Sequence, residues 1–450
     1  MLSGSRITRK SILSTLRKRL SPWTIMSHIT TLTTTTLRPL PIWSRAKIYL
    51  SSVTLAPSSS RLAEEWWNRM GIKSLEVFGL GIPFVEAFAH STKERRVSDA
   101  IIVKVTTDDG IEGFGEGLPR TYVTGEDRAF VFHAIANHYW PRIKGQTLPS
   151  LSSAEQLAEL DGLLGAPELP SGVKVSNAGR CAVEMALVDA ALKRQERSLG
   201  DLLGQARPSC TYHGVVTASS PENAAKLAKK MKLIGLSHLK IKIGLGEDYE
   251  RVKAVSDIMQ GAPLRLDANA NQSLDEALAT IDELREFNIE SIEAPIVPGD
   301  LDALKRYKDA CPWGVVVDEN MLTVEDANQL VDRQACSIFN VRLSKCGGLY
   351  PSLKMIQIAK EHGIELQIGA QVGETAILSA AARHLNLSQP EVRFSEGSFG
   401  PLLLTEDISK ERISFGFQGE AKSIAGPGFG ILVDQERLTK YAVQHERYDA

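Results

Sequence analysis

The 450-residue chain, 43% hydrophobic, is long enough for a barrel of roughly 250 residues with a second domain beside it. No run approaches the ~20 apolar residues of a membrane span, so the chain reads as soluble, without a membrane partner. Residues 1–63 hold ten basic and no acidic side chains; the remaining 42 basic against 54 acidic groups leave a body of about −12, which argues against nucleic acid as a partner.

The head, 1–69, is basic, hydroxyl-rich and almost free of acid, the composition of an organelle transit segment. The alternative reading is that translation starts at Met70 and the upstream residues are a mistaken extension, and this second reading is preferred. Five scattered cysteines without a CxxC pair (Cys181, Cys210, Cys311, Cys336, Cys346) fit a reducing compartment, the cytoplasm, rather than a disulfide framework or a zinc site. Import into an organelle follows only if the head is genuine.

From 70 to 208 the pattern is α+β. Strands are expected at 72–80, 100–107 and 111–117, the last two joined through the hairpin signal Asp108-Asp109-Gly110. Helices are expected at about 126–140, 153–164 and 177–194, the last with Cys181, Met185, Val188 and Leu192 as its apolar face. Between them the loop "GEGLPRTYVTGED" offers Arg120, Tyr122 and Thr124 to a substrate carboxylate, or is a solvated connector.

From 209 to 405 strands and helices alternate. Strands are expected at 211–217, 238–243, 264–267, 291–293, 315–318, 337–342, 365–368 and 392–394, with helices such as 221–232 and 274–287 between them. Eight strands alternating with helices imply a closed parallel α/β barrel of the TIM type. "IGAQVGET" and "SEGSFGP" follow strands seven and eight, placing Gln371 and Glu396 as further substrate contacts at the same mouth. The segment 406–450 is expected to return to the first domain. Its "GPGFG", like the earlier "GLGED", lacks the strand, third glycine and helix of a dinucleotide site.

Charged residues recur at the strand ends: Lys240 and Lys242 in "HLKIKIG", Asp267 in "LRLDANAN", Glu293 in "SIEAPI", Asp318 in "VVVDEN" and Lys345 in "VRLSKCGG". From Lys242 onward they stand 25, 26, 25 and 27 residues apart, one βα unit each. Lys240 and Lys242, two apart on a strand, point the same way, with Ile241 packing outward. A single such carboxylate would more often be a helix cap; three at a constant period converge on one point and repel unless a cation sits among them. An all-oxygen set selects a hard divalent ion, Mg²⁺ first and Mn²⁺ second. Clustered amines together with the charge of the metal are expected to lower the lysine pKa values toward the range of a base. Such a site suits removal of a proton beside a carboxylate, the enediolate charge being met by the metal.

These motifs, with Gly347 and Gly348 after Lys345, resemble the enolase superfamily and its muconate-lactonizing-enzyme subgroup over about residues 72–440. The resemblance implies a modified (β/α)7β TIM barrel under an N-terminal α+β capping domain that gives specificity. It implies metal ligands Asp267, Glu293 and Asp318, an acid/base pair Lys242 and Lys345, electrostatic help from Lys240, a small carboxylate substrate and a homo-oligomer. The mandelate-racemase subgroup is less similar, lacking here its strand-seven His with a strand-six Asp. Strand eight departs from known patterns: Ser395-Glu396-Gly397-Ser398 replaces the Asp-x-Asp of dipeptide epimerases, and Glu396 is one position off the cycloisomerase acid. The expected activity is therefore an Mg²⁺-dependent racemase, epimerase or cycloisomerase. A syn-dehydratase of the o-succinylbenzoate-synthase type and a barrel whose chemistry has decayed are the alternatives.

Overall fold

The computed structural model describes residues 71–90, 93–218 and 220–450, so the basic head and its two readings lie outside the described residues. The first part contributes β1 (Ile72–Leu80), β2 (Ile82–His90), β3 (Lys93–Ser98), β4 (Ile101–Thr107) and β5 (Glu112–Gly117). β1, β4 and β5 form an antiparallel sheet, and β2 pairs with β3 in a separate hairpin. That hairpin has no counterpart in the sequence reading, because the charged run Lys93–Arg96 hides any alternation.

The sheet packs on the helix Asn177–Arg194 through missing side chains. A Cβ on Gly115 or Gly117 would stand 2.0 or 2.1 Å from the carbonyl oxygens of Ala182 or Ala178. Glycines at alternate strand positions meet alanines at every fourth helix position, so two backbones approach closely. The expected apolar face of this helix is therefore only part of it: every residue from Asn177 to Leu192 is buried. It becomes a central strut rather than a surface helix.

β6 (Ser209–Thr211) leads into eight parallel strands: β7 (Gly214–Val216), β8 (Leu239–Lys242), β9 (Leu264–Asp267), β10 (Ile289–Glu293), β11 (Gly314–Val317), β12 (Ile338–Val341), β13 (Glu365–Ile368) and β14 (Phe394–Ser395). They follow in sequence order, and the seam between first and last is bridged where the His213 N–H donates to Ser395 O at 2.9 Å. The run expected as one strand at 211–217 is split, since β6 pairs antiparallel with β15 (Glu420–Lys422) before the chain turns into the barrel.

Several helix starts between the strands carry side-chain caps, which end those βα loops at a defined residue, whereas Asp248–Met259 and Leu349–Glu361 start without one. Ser273 with Glu276 and Thr323 with Asp326 are reciprocal capping boxes, and Asp300 caps Leu301–Ala310. The C-terminal segment ends in β16 (Ala442–Asp449), which adds to β1 and completes the sheet order β16-β1-β4-β5. No helix among the described residues is long and apolar enough to cross a membrane.

Candidate active site

Register sets the centre of the site. Lys242 on β8, Asp267 on β9 and Glu293 on β10 are direct lateral neighbours, and Asp318 follows the end of β11. Residues two earlier on the same strands share their face, which brings Lys240 and Arg265 into the same interior.

Lys240 is the hub. Its Nζ donates to Glu396 Oε2 at 2.8 Å and Glu293 Oε2 at 2.9 Å and stands 3.2 Å from Asp267 Oδ2. Burial alone would lower its pKa, but the three carboxylates outweigh that and hold it above the usual lysine range. These three carboxylates favour the charged form of Lys240.

Lys242 Nζ meets Asp267 Oδ2 at 2.6 Å. Lys345 lies beyond β12, not on it, in the short turn of helix Leu343–Cys346, with its side chain fully buried. Its Nζ donates to Asn340 O at 2.8 Å and Asp318 O at 2.9 Å and lies 3.1 Å from Asp318 Oδ1.

Each carboxylate is dressed differently. Burial raises the Asp267 pKa, yet Lys242 and Lys240 overcome it and keep the group below the usual range. Asp318 is likewise depressed, burial being outweighed by Arg342, its ion-pair partner, and Lys345. Glu293 goes the other way: burial raises it, and Asp267, Glu396 and Asp318 add to the rise against the opposing pull of Lys240. It receives Asn340 Nδ2 at 2.9 Å and Gln367 Nε2 at 2.8 Å.

Among the described residues no three Asp, Glu, His or Cys side chains stand as a closed ligand cluster, each carboxylate here being turned onto a cation. The residues nonetheless fit a hard divalent ion. Asp267, Glu293 and Asp318 come from neighbouring strands, all three are oxygen donors, and Asp318 Oδ1 is buried without an aligned hydrogen bond despite its nearness to Lys345.

The substrate-contact candidates separate. Arg120 is buried, donating to Asp99 Oδ1 at 2.9 Å and to the carbonyls of Pro119 and Val372 at 2.7 Å each; it ties the loop to the segment after β13. Thr124 Oγ1 donates back to Arg120 O at 3.2 Å. Tyr122 is exposed, with the Arg95 guanidinium 5.7 Å above its ring. Gln371 is buried and donates to Leu118 O at 3.4 Å, while its Oε1 has no hydrogen-bond partner. Glu396 is corrected from a substrate contact to an internal counter-ion: Oε2 is taken by Lys240 and Oε1 by Arg265. Burial would raise its pKa, but these two cations pull it down to about 2.

Sequence reasoning missed Arg265, Asn340, Gln367, Arg342 and Glu319. The first three carried a signal, being polar residues inside apolar strands. Glu319, beside Asp318, is buried with Oε2 unpartnered, and burial together with Asp318 and Asp267 pushes it up to about 8.

Residues 223–437 match the family described as "Enolase C-terminal domain-like", and residues 80–204 match the mandelate racemase / muconate lactonizing enzyme N-terminal domain. A hydrophobic dipeptide epimerase of Enterococcus faecalis is 30% identical over 328 residues, which span 72% of this chain and 89% of the relative. This chain belongs to the enolase superfamily, in its muconate-lactonizing-enzyme subgroup. An N-succinyl-L-Arg/Lys racemase of Bacillus cereus is 27% identical, covering 83% of this enolase-superfamily chain and 98% of the relative. The crystal structure of that organism's N-succinyl Arg/Lys racemase superposes with a TM-score of 0.76 at 26% identity, covering 84% of this chain and all of the other. A muconate cycloisomerase of Rhodococcus opacus is 28% identical, covering 82% and 98%. The chain is accordingly an isomerase of the enolase superfamily, with that superfamily's barrel and N-terminal domain.

Proposed function

We propose that this isomerase catalyses 1,1-proton transfer at the α-carbon of a carboxylate substrate, with Lys242 and Lys345 as the acid/base pair and Lys240 as fixed positive charge. What carries the reading is the strand order: Asp267, Glu293 and Asp318 come from three consecutive strands, with Lys242 engaging the first and Lys345 the last. One amine thus closes each end of a carboxylate arc, the disposition needed to reach two faces of one carbon. The neutral lysine on one side removes the proton; the ammonium on the other delivers one to the opposite face.

Asp267, Glu293 and Asp318 would hold Mg²⁺, or Mn²⁺ in its place, and the bound cation supplies positive charge to the substrate carboxylate as the α-proton leaves. Lys240 holds Glu293, Glu396 and Asp267 in place around that charge. Gln371, with a buried unpartnered oxygen, and the exposed Tyr122 are the substrate contacts we retain. N-acylated amino acids and dipeptides head the substrate list, because the similar proteins include an N-succinyl-amino-acid racemase and a dipeptide epimerase. The setting we read is the cytoplasm, in keeping with five free cysteines, and the working form a homo-oligomer.

The test is α-proton exchange in D₂O, followed by NMR, over N-succinyl amino acids, dipeptides and muconate. Exchange with interconversion of configuration is expected, and each of Lys242→Ala and Lys345→Ala abolishes interconversion while leaving exchange from one configuration. No exchange from any of these acids by metal-loaded enzyme would defeat the reading.

A further inference from the structure

The two lysines of the proposed acid/base pair are held by different parts of the molecule. Lys242 belongs to the barrel, on β8 between the ladders to β7 and β9. The turn bearing Lys345 has only four helical residues, too few to hold a fixed shape unaided. The Lys345 amine is held by barrel groups, Asn340 O and Asp318, but the rest of the turn is held from the capping domain. The Leu118 N–H donates to Ser344 Oγ at 2.8 Å. Asn177 Nδ2 donates to Lys345 O at 2.6 Å and to Leu322 O at 2.7 Å, so one amide joins the turn to the loop after β11. Arg180 donates to Gly347 O, and Glu184 accepts the N–H groups of Leu349 and Tyr350.

This grip also explains the glycine pair. Gly347 and Gly348 adopt φ of +89° and +114°, and a Cβ on Gly348 would stand 1.9 Å from Glu184 Oε2. Only glycine admits both the backbone conformation and the capping-domain carboxylate at that distance.

We propose that the capping-domain strut positions Lys345, with Asn177 as the principal positioning residue. The inference rests on the proton-transfer reading above. At rest the ammonium is tied to Asp318 O and Asn340 O. Reaching substrate requires leaving one of these, and the reach is then set by the backbone that Asn177 holds. A shift of about 1 Å in a reacting group costs on the order of a hundredfold in rate. Among the described residues the Lys242 amine is held by Asp267 of the barrel and by no hydrogen bond from the capping domain, so the two half-reactions separate.

The experiment measures α-proton exchange in D₂O from each configuration separately, using N-succinyl-lysine, N-succinyl-arginine and hydrophobic dipeptides as probes. Exchange that survives Lys242→Ala identifies the configuration served by Lys345. In Asn177→Ala that exchange is expected to fall by about tenfold to a hundredfold, with exchange through Lys242 changed by less than about threefold. Ser344→Ala, which removes a smaller contact, shows the same asymmetry in weaker form and serves if Asn177→Ala does not fold. Equal losses for both configurations in the variants, or no loss, would overturn the positioning role while leaving the proton-transfer reading intact. Absence of exchange in the unmodified enzyme would instead strike the reading itself, and this inference with it.

Discussion

Lys240 Nζ and Glu396 Oε2 meet at 2.8 Å inside the barrel, joining its second strand to the end of its eighth. Glu396 Oε1 continues the chain to Arg265, whose guanidinium lies 4.5 Å above the Phe394 ring and donates to Gln367 Oε1 at 2.9 Å. A buried network of this kind is worth little net against an apolar core, yet costs much when one partner is removed.

Glu396→Gln therefore leaves Arg265 and Lys240 short of a counter-charge where water does not reach. A loss of about 3–5 kcal/mol in unfolding free energy is expected, read from urea denaturation. A change under about 1 kcal/mol would mean that the pairing is not carried in the folded state in solution.

Gly115→Ala probes the strut. Its Cβ would stand 2.0 Å from Ala182 O and 2.5 Å from Ala186 N, both backbone atoms that cannot step aside cheaply. Destabilisation of about 3 kcal/mol or more is expected in the same assay, above the usual range for core overpacking. A variant as stable as the parent would show that β5 and the helix do not touch so closely.

His384 makes stability depend on acid. It is buried, and burial lowers its pKa to about 4, with Arg383 adding to the fall and the Phe429 carbonyl and Asp201 opposing it. The unfolded chain titrates this group near 6.5, so its contribution is whole above about pH 6.5 and is lost as pH falls toward 4. Across that window the loss is on the order of 3 kcal/mol. Glu116, pushed up to about 8 by burial, has the opposite slope, so the measurement is the pH-dependent difference between the parent and His384→Gln. A difference flat from pH 7 to pH 5 would contradict the assignment.

Metal binding is separable from turnover. Mg²⁺ titrated calorimetrically is expected to fill one site per chain and to raise the melting temperature by mass action. Asp267→Asn or Glu293→Gln is expected to weaken it at least about tenfold, since each removes an anionic oxygen ligand. Unchanged affinity in both variants would move the cation elsewhere.

The sequence alone determined the βα period, the strand ends and hence the row of Lys242, Asp267, Glu293 and Asp318, because hydrophobic pattern and turn chemistry act over the few residues of one strand. It also carried Lys240, through the two-residue alternation of β8. Lys345, read from the same period, proved to lie on a turn, and what holds that turn belongs to the tertiary structure: Asn177 stands 168 positions earlier in the chain. Glu396 shows the same divide. Nothing near it in sequence indicates that Lys240 and Arg265 will take both its oxygens, since that follows from closing eight strands into a cylinder. Local chain chemistry selects which side chains face inward; only barrel closure and the packing of helix Asn177–Arg194 decide which of them meet.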